Sequence, residues 1–408
     1  MQLHRFHQWV AAAPAQARAE AAKALIDAYG HIGADRCRAE RLDRMVAVLL
    51  DDASVAVRRS LAEAAARSLD VPRWVVVALA QDDTPVATPV LAASALLSDA
   101  DLVEAVATGD AECHCIVAAR VRVPEVVAAA IVEAGHRDAV LSLLANATAV
   151  VTPCVLRRIL HRFGCDAEMR EALLNHAHQD PAFHHELVLA GTEALTRFAL
   201  DCDWMSPARA ESLRRETHDK SVVTIAAGCR DVAGPDGPVT LVMHLRSRGQ
   251  LTPALLLRAL LSGNLDLCEA ALSNLSGIAP ARCAGHMRAP FGLGFASLYA
   301  KAAMPAPLLA VFRAALQAVT LIPGRDGQDP ALSRDAIGRV LEVCLSDDAP
   351  ELARVAALMR RLEAEALREG ARLVSVEQGE PMRHPAAPDI AVLRGPRWRR
   401  PVVLSAAA

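Results

Sequence analysis

Two clusters of metal-ligating side chains stand out in this sequence. In the first, Cys113 and Cys115 flank His114, and thiolates beside an imidazole are donors that zinc and softer metals prefer. Successive residues on a helix point about 100° apart, so the three side chains do not converge easily. Free cysteine also packs as a small hydrophobic residue. Core packing is therefore the favoured interpretation, and metal binding is the alternative.

The second cluster holds four histidines within ten residues. They are His176, His178, His184 and His185. The first two lie near a predicted helix end before Asp180-Pro181, and the others lie in the next predicted helix, followed by Glu186. No zinc-binding spacing such as His-Glu-x-x-His is present. We favour surface and helix-end histidines, whose rings interact with terminal carbonyls, and keep a metal or pH-sensitive site as the alternative.

Motifs of common catalytic and nucleotide-binding sites do not occur in the chain. There is no P-loop and no Gly-x-Ser-x-Gly motif, and Gly292-x-Gly294 lacks a third glycine. The paired carboxylates Asp82-Asp83 and Asp347-Asp348 adjoin predicted helix boundaries, where the helix dipole favours aspartate. We therefore expect no catalytic residue and no cofactor.

One helical pattern recurs through the first half of the chain. An opening residue is followed by aliphatic residues three and seven positions later, which places an apolar stripe on one helix face. The series reads Pro72–Val75–Leu79, Asp99–Leu102–Val106, Pro124–Val127–Ile131 and Pro153–Leu156–Leu160. The openers are 27, 25 and 29 residues apart, and a second helix fits within each interval. Stacked helix pairs of this kind predict an all-α fold, an α-solenoid.

The segment Asp52-x-x-x-x-Val57-Arg58 resembles the HEAT-repeat signature. In such repeats the aspartate and arginine do structural work, so we interpret Asp52, Val57 and Arg58 as repeat scaffolding. Proline suits the first helical position, where its missing N–H group is not needed. The predicted helix-opening prolines are Pro72, Pro124, Pro153 and Pro253.

The pattern becomes less regular after Phe163, although Ser206-Pro207 and Thr252-Pro253 open further helices. We expect a softer joint near residues 230–250 in an otherwise continuous helical body. The predicted divisions are an N-terminal helical cap over 1–40, a repeat solenoid over 41–200, a helical C-terminal region over 205–370 and a disordered tail over 371–408.

Several stretches resemble a known bacterial family. They include Leu251–Leu260, Gly263-Asn264-Leu265, Glu269–Leu272, Ser297–Ala302, Phe312–Leu316 and, in the first half, Leu96–Val103. The family is domain of unknown function 2336, found mainly in alphaproteobacteria, and the resemblance spans roughly residues 40–320. Its motifs are helix-packing motifs. The resemblance implies HEAT-like helices and a cytoplasmic bacterial protein, and it carries no catalytic residues.

Composition and charge narrow the functional classes. Hydrophobic residues make up 53% of the 408 residues and aromatic residues only 3%, which favours an Ala-, Leu- and Val-rich helical core. Residues 71–190 carry 8 basic and 15 acidic side chains, a formal charge of −7. A nucleic-acid groove is expected to be basic, so nucleic acid is disfavoured and a basic protein partner is favoured. Arginines surround Trp398 in the tail. We favour a solvated chain end, and contact with an anionic lipid, a nucleic acid or a docking partner is the alternative.

The sequence therefore predicts a non-enzymatic scaffold or regulatory module that binds another protein. A nucleic-acid-binding HEAT-like protein and a metal-binding protein using the His176–Glu186 cluster remain alternatives. No apolar run approaches the length of a membrane span, and the ten cysteines form no Cys-x-x-Cys pair. We expect a cytoplasmic location, where thiols stay reduced.

Overall fold

A computed structural model describes residues 3–31, 35–176, 180–234, 236–321, 332–346 and 349–377. Over these residues the chain forms twenty-two α-helices, one short 3-10 helix and no β-strand. The all-α prediction is confirmed. The chain divides into two compact units, and the division falls within and just after one long helix.

Unit 1 comprises Met1–Ile225 and Cys229–Gly237. Its helices are α1 (Leu3–Ala12), α2 (Ala15–Tyr29), α3 (Arg36–Leu50), α4 (Val55–Ala65), α5 (Arg73–Ala80), α6 (Thr84–Ala93), α7 (Asp99–Thr108), α8 (Ala111–Ala118), α9 (Glu125–Ala134), α10 (Arg137–Ala145), α11 (Pro153–Phe163), α12 (Ala167–His176), α13 (Pro181–Asp201) and most of α14 (Pro207–Ala233).

Helices of unit 1 pack in two rows. The even row runs α2, α4, α6, α8, α10 and α12, and each helix contacts the next one in that row. In the odd row, α1 contacts α3 and α3 contacts α5, while α7, α9, α11 and α13 form a second contacting series. Consecutive helices also pair, as α7 does with α8. This is the solenoid-like stacking of helix pairs that the recurring pattern predicts.

The aliphatic positions of the pattern form the core of this unit. Val75, Leu79, Leu102, Val106, Val127, Ile131, Leu156 and Leu160 are all buried. Each fully buried Val, Leu or Ile side chain contributes roughly 1.5–3 kcal/mol relative to exposure. Because one helix pair cannot cover both of its apolar faces, the core is continuous only when the pairs stack.

Local capping explains where several helices begin. The Ser98 hydroxyl accepts from the Asp101 amide, while the Asp101 carboxylate accepts from the Ser98 amide, which makes a reciprocal capping box for α7. Pro153 occupies the first turn of α11 as expected. Pro72 and Pro124 instead stand one residue earlier, as N-caps with ψ of 135° and 159°. Their carbonyls still accept the first helical hydrogen bonds, so the difference is a shift of one position.

Unit 2 comprises Ala226–Gly228 and Pro238–Ala408. Its helices are α15 (Gly237–Ser247), α16 (Pro253–Leu261), α17 (Leu265–Ser276), α18 (Pro280–Arg288), α19 (Leu293–Lys301), the 3-10 helix Ala306–Leu308, α20 (Leu309–Thr320), α21 (Arg334–Leu345) and α22 (Pro350–Glu377). Helix α16 is buried on all sides from Leu255 to Leu261, as expected for a central helix. It contacts α17 and α20, and α21 packs between α20 and α22.

Two predictions for this region need correction or lie outside the described residues. Helix α22 continues past Gly370 to Glu377, so the irregular tail does not begin at residue 371. The flanking residues of Gly370 are good helix formers, and one glycine costs a helix only about 1 kcal/mol. Asp347-Asp348, and the predicted tail from residue 378 onward, lie outside the described residues.

A tight turn follows α19. Ala303 has φ of 54°, in the left-handed region that glycine normally occupies at a helix end. The Met304 amide donates to the Tyr299 carbonyl at 3.3 Å, which closes the helix end. The Tyr299 hydroxyl then donates to the Pro305 carbonyl at 2.9 Å. The turn is therefore held from two sides although its central residue is not glycine.

Candidate functional site

Arginine–carboxylate pairs link successive helix pairs of unit 1. Three of them join an even-row helix to the loop of the next pair: Arg18 with Asp52, Arg58 with Asp82, and Arg137 with Asp166. In the second pair, Nε and Nη2 of Arg58 donate to the two Asp82 oxygens at 2.7 and 2.9 Å. The third guanidinium nitrogen, Nη1, donates to the Asp52 carbonyl at 2.8 Å. Arg58 thus joins the loop before its own helix to the loop of the next pair.

These contacts keep the carboxylates ionised. Burial acts to raise the pKa of Asp82, but hydrogen bonds from Arg58 and from the Asp83 amide outweigh it and hold the pKa below its usual value. The pKa of Asp52 is also lowered, because hydrogen bonds from Arg18 and the Ser54 amide outweigh the effect of burial. Asp52 and Arg58 therefore join neighbouring helix pairs, and their role as HEAT-repeat scaffolding stays a prediction.

The series of arginine pairs is interrupted at Asp110. Its Oδ2 accepts from the Thr84 hydroxyl at 3.1 Å, so a threonine takes the place that Arg58 holds at Asp82. Its Oδ1 accepts from the Cys113 amide at 2.9 Å and caps α8. The Cys113 amide first, and then Thr84, lowers the pKa of Asp110. The result is an ionised carboxylate whose partners are neutral groups.

A groove of about 400 Å³ opens beside Asp110, between the loops of the α5–α6 and α7–α8 pairs. We call it the acidic groove. Its carboxylate lining consists of Asp82, Asp83, Asp101, Glu104 and Asp110. Apolar atoms of Val77, Ala80, Ala87 and Leu91 form part of its wall. The groove therefore combines negative charge with a surface that aliphatic side-chain stems can cover.

Two arginines neutralise part of this charge. Arg58 contacts Asp83 at 3.0 Å in addition to Asp82. Arg73 donates to both oxygens of Asp101 at 2.7 and 2.6 Å. Five carboxylates against two guanidinium groups leave a formal charge of −3. Within the described part of the chain, Glu104 has no ion-pair partner, so its charge faces the groove uncompensated.

Gly109, in the wall of the groove, leaves no room for a side chain. A Cβ atom on Gly109 would lie 2.5 Å from the Ala105 carbonyl oxygen and 2.6 Å from Cys113 Sγ. Gly135 repeats the arrangement at the end of α9, where a Cβ would lie 2.3 Å from the Ile131 carbonyl oxygen. The turn between the two helices of a pair is therefore too tight at these positions for a side chain.

Cys113 and Cys115, for which metal binding was the alternative to core packing, lie in different surroundings. Cys113 is buried, and its thiol lies 3.5 Å from the Ala105 carbonyl. Burial first, and then Asp110, raises the pKa of the Cys113 thiol. Cys115 is only partly exposed, and burial followed by Asp138 and Glu112 raises its thiol pKa. Raised pKa values favour the neutral thiol over the thiolate that binds metals.

The described histidines of the 176–185 segment, for which a metal or pH-sensitive site was the alternative, are spread over two helices. His176 ends α12 and its Nε2 donates to the Leu144 carbonyl at 2.6 Å, while His178 lies outside the described residues. His184 and His185 follow on α13. The ring of buried His185 lies 5.0 Å from that of His218 on α14, a residue that the sequence did not single out. Across the described ranges, no group of three or more His, Cys, Asp or Glu side chains is placed to hold a metal ion.

Residues 86–354 match the family described as "uncharacterised protein conserved in bacteria (DUF2336)". The chain belongs to this family. The match covers more than half of the chain and includes the α7–α8 side of the acidic groove, from Asp101 to Cys113. The family resemblance inferred from the sequence is therefore confirmed, whereas the HEAT-like character of the repeats stays a prediction. No curated protein and no solved structure matches the chain.

The groove was only partly predictable. The acidic excess of residues 71–190 is visible in the sequence, but Asp101, Glu104 and Arg73 carry no motif that marks them. Asp83 and Asp110 lie 27 positions apart and face one groove only because their helix pairs stack. Among the described helices, none combines the length and apolar character that crossing a membrane requires.

Proposed function

We propose that this protein is a non-enzymatic binding module whose acidic groove receives a basic segment of a partner protein. The observation that carries the proposal is the convergence of five carboxylates around a cavity of about 400 Å³. Clefts of roughly 300–1,000 Å³ accommodate small ligands, so the groove suits one or a few side chains rather than a folded domain. The segment 71–190, expected from its charge to form the contact surface, contains this groove.

The chemistry of the groove favours a cation on an aliphatic stem. Arginine and lysine side chains place methylene groups against apolar surface while the charged head stays polar. The wall residues Val77, Ala87 and Leu91 supply the apolar surface, and Glu104 and Asp110 supply acceptors. Neither carboxylate is engaged by an arginine within the described residues. A basic side chain from outside would therefore gain charge-assisted hydrogen bonds.

Electrostatic attraction adds specificity and speed. The formal charge of −7 on residues 71–190 would draw a basic segment towards the groove and repel acidic ones. Such attraction is screened when the ionic strength rises. The proposal therefore requires that the affinity for a basic segment falls as the salt concentration rises. A cytoplasmic location and a regulatory or scaffolding role belong to the same proposal and rest on fold-level reasoning.

The test uses fluorescence anisotropy with a labelled peptide of alternating arginine and alanine, and a peptide of alternating glutamine and alanine as the uncharged control. We expect the full chain to bind only the basic peptide, with affinity that falls as salt increases. The variant Asp83→Asn/Glu104→Gln should bind about twofold to thirtyfold more weakly, since each of the two exposed ion pairs contributes about 0.2–1 kcal/mol.

The matched control is Glu125→Gln/Glu171→Gln, which removes two exposed charges of unit 1 outside the groove. It should bind the peptide within about twofold of the unmodified chain. Equal weakening by both double variants would show that net charge, and not the groove, attracts the peptide. Failure of the unmodified chain to bind the basic peptide at low salt would overturn the proposal.

A further inference from the structure

His114, on α8, is a buried histidine with a defined tautomer. The residue is only 4% exposed, and its ring Nε2 lies 2.8 Å from the Val106 carbonyl oxygen. A carbonyl oxygen can only accept, so Nε2 carries the proton and donates it. In the neutral ring Nδ1 is then an unprotonated acceptor with a free lone pair.

The other ring nitrogen of His114 has no hydrogen-bond partner among the described residues, although it is buried. A buried acceptor without a donor costs roughly 1–3 kcal/mol. Native proteins leave few such groups, and those that remain call for a bound water, an ion or a functional role. The lone pair of Nδ1 therefore points to a ligand.

A second imidazole stands next to the ring of His114. His136, the N-cap residue of α10, is exposed, and its ring centroid lies 5.7 Å from that of His114. The two residues are brought together by the contact between α8 and α10 in the even row. Two imidazoles on one tetrahedral zinc ion have ring centroids about 5–6 Å apart, given a Zn–N distance of about 2 Å.

The surroundings of His114 also suit a metal-bound histidine. A ligating imidazole usually donates its other N–H to a carbonyl or carboxylate, which fixes the ring and the tautomer. The Val106 carbonyl already does this for His114. The ionised Asp110 carboxylate interacts electrostatically with the same ring and would favour a cation there. His136, being exposed, provides a route for an ion to enter from solvent.

We propose that His114 Nδ1 and the ring of His136 bind a divalent cation of the class that imidazole prefers, with zinc as the representative ion. Water completes the coordination, so the site is exchangeable and weaker than a structural zinc site with four protein ligands. Neither ligand lines the acidic groove, so the metal site is distinct from the groove, although the Asp110 carboxylate acts on both. The metal site takes His114 from the Cys113–Cys115 segment and none of the side chains of the His176–Glu186 cluster.

The test is zinc titration of the full, tag-free chain after treatment with EDTA, followed by isothermal calorimetry and by chelator competition. We expect one ion per chain. His136→Ala should weaken binding by at least about tenfold, and the exposed His136 side chain can be removed without disturbing the core. His161→Ala, which removes an exposed histidine on α11, is the matched control and should bind like the unmodified chain.

A second variant separates metal binding from folding. His114→Gln retains an N–H donor for the Val106 carbonyl but has no ring nitrogen, so it should remain folded by circular dichroism and lose the ion. Nitrogen-15 NMR of the unmodified chain should show the His114 Nδ1 resonance shifting on zinc addition. Absence of stoichiometric binding, or His136→Ala and His114→Gln binding as tightly as the unmodified chain, would overturn the proposal and leave a bound water as the partner of Nδ1.

Discussion

Arg258 and Glu365 are joined across 107 positions of sequence by a hydrogen bond of 2.5 Å between Nη2 and Oε1. The side chains are 9% and 25% exposed, so the pair is largely removed from water. It connects the central helix α16 of unit 2 with α22, the last described helix. A buried guanidinium that lost this carboxylate would remain charged, because arginine does not deprotonate in proteins.

Glu365→Ala should therefore destabilise the protein strongly. Breaking a buried pair by removing one partner costs about 3–5 kcal/mol when burial is complete, and partial exposure of Glu365 reduces our expectation to about 2–3 kcal/mol. Urea unfolding at pH 7 measures the change. The control Glu342→Ala removes an exposed carboxylate of α21 and should change the free energy of unfolding by less than about 0.5 kcal/mol.

Replacing both partners provides the converse experiment. Arg258→Met/Glu365→Leu substitutes apolar groups of similar size, and such replacements are often neutral or stabilising. We expect this double variant to be more stable than Glu365→Ala alone. If it were equally destabilised, packing at these positions and not the charge pair would account for the loss.

Ala303→Gly should stabilise the turn after α19. The left-handed conformation at Ala303, with φ of 54°, costs a non-glycine residue roughly 1–2 kcal/mol. Glycine removes that strain but adds flexibility to the unfolded chain, so we expect a net gain of about 0.5–1 kcal/mol in thermal or urea unfolding. The neighbouring change Ala302→Gly, at φ of −74°, has no strain to relieve and should lower the stability.

Gly109→Ala should destabilise unit 1. The added methyl group would overlap the Ala105 carbonyl oxygen and the Cys113 thiol, and overpacking of this kind typically costs about 1–3 kcal/mol. Gly338→Ala is the informative comparison, because its Cβ would meet nothing within 4 Å inside α21. Alanine there should stabilise the helix by about 0.5–1 kcal/mol. Equal responses of the two variants in urea unfolding would contradict the steric explanation.

Acid should weaken the links between helix pairs. The folded-state pKa values of Asp52 and Asp82 are lowered, since hydrogen bonds from arginine and backbone amides outweigh burial. A lowered carboxyl pKa stabilises the folded state fully above the unfolded value of about 3.9, and this contribution is lost as pH falls through the folded value. We expect unfolding free energy to drop below about pH 4 and to be less pH-dependent in that range in Asp82→Asn. Arg58→Lys keeps the positive charge but not the two parallel hydrogen bonds to Asp82. This variant should retain more of the acid dependence than Asp82→Asn does.

The helix starts could be predicted because their determinants are local. Ser98, Ser206 and Thr252 each cap a helix through an amide three residues later, and such spacing is visible in the sequence. The shifts at Pro72 and Pro124 are of one residue, because a proline carbonyl can accept the first helical hydrogen bond from outside the helix. The end of α22 was missed because a single glycine, Gly370, does not break a helix with strong flanking residues.

The candidate sites could not be located in the same way. Arg58 contacts Asp82, which lies 24 residues later in the sequence, and His114 lies beside His136, which lies 22 residues later. Both separations reflect the length of one helix pair together with its loops, which varies along the chain. The sequence can supply the residue types and the excess of acids. Which carboxylate lacks an arginine, and which imidazoles meet, depends on how each pair rotates against the next.

The two-row packing of unit 1 also bears on how such chains change length in evolution. Each even-row helix touches its row neighbours and its partners in sequence, so stability in such an array is close to a sum over adjoining pairs. Gain or loss of one whole helix pair would change only the contacts with the adjoining pairs and would leave remote helices undisturbed. Insertions shorter than a helix pair would instead shift the arginines of one pair away from the carboxylates of the next, so these ion pairs would be lost.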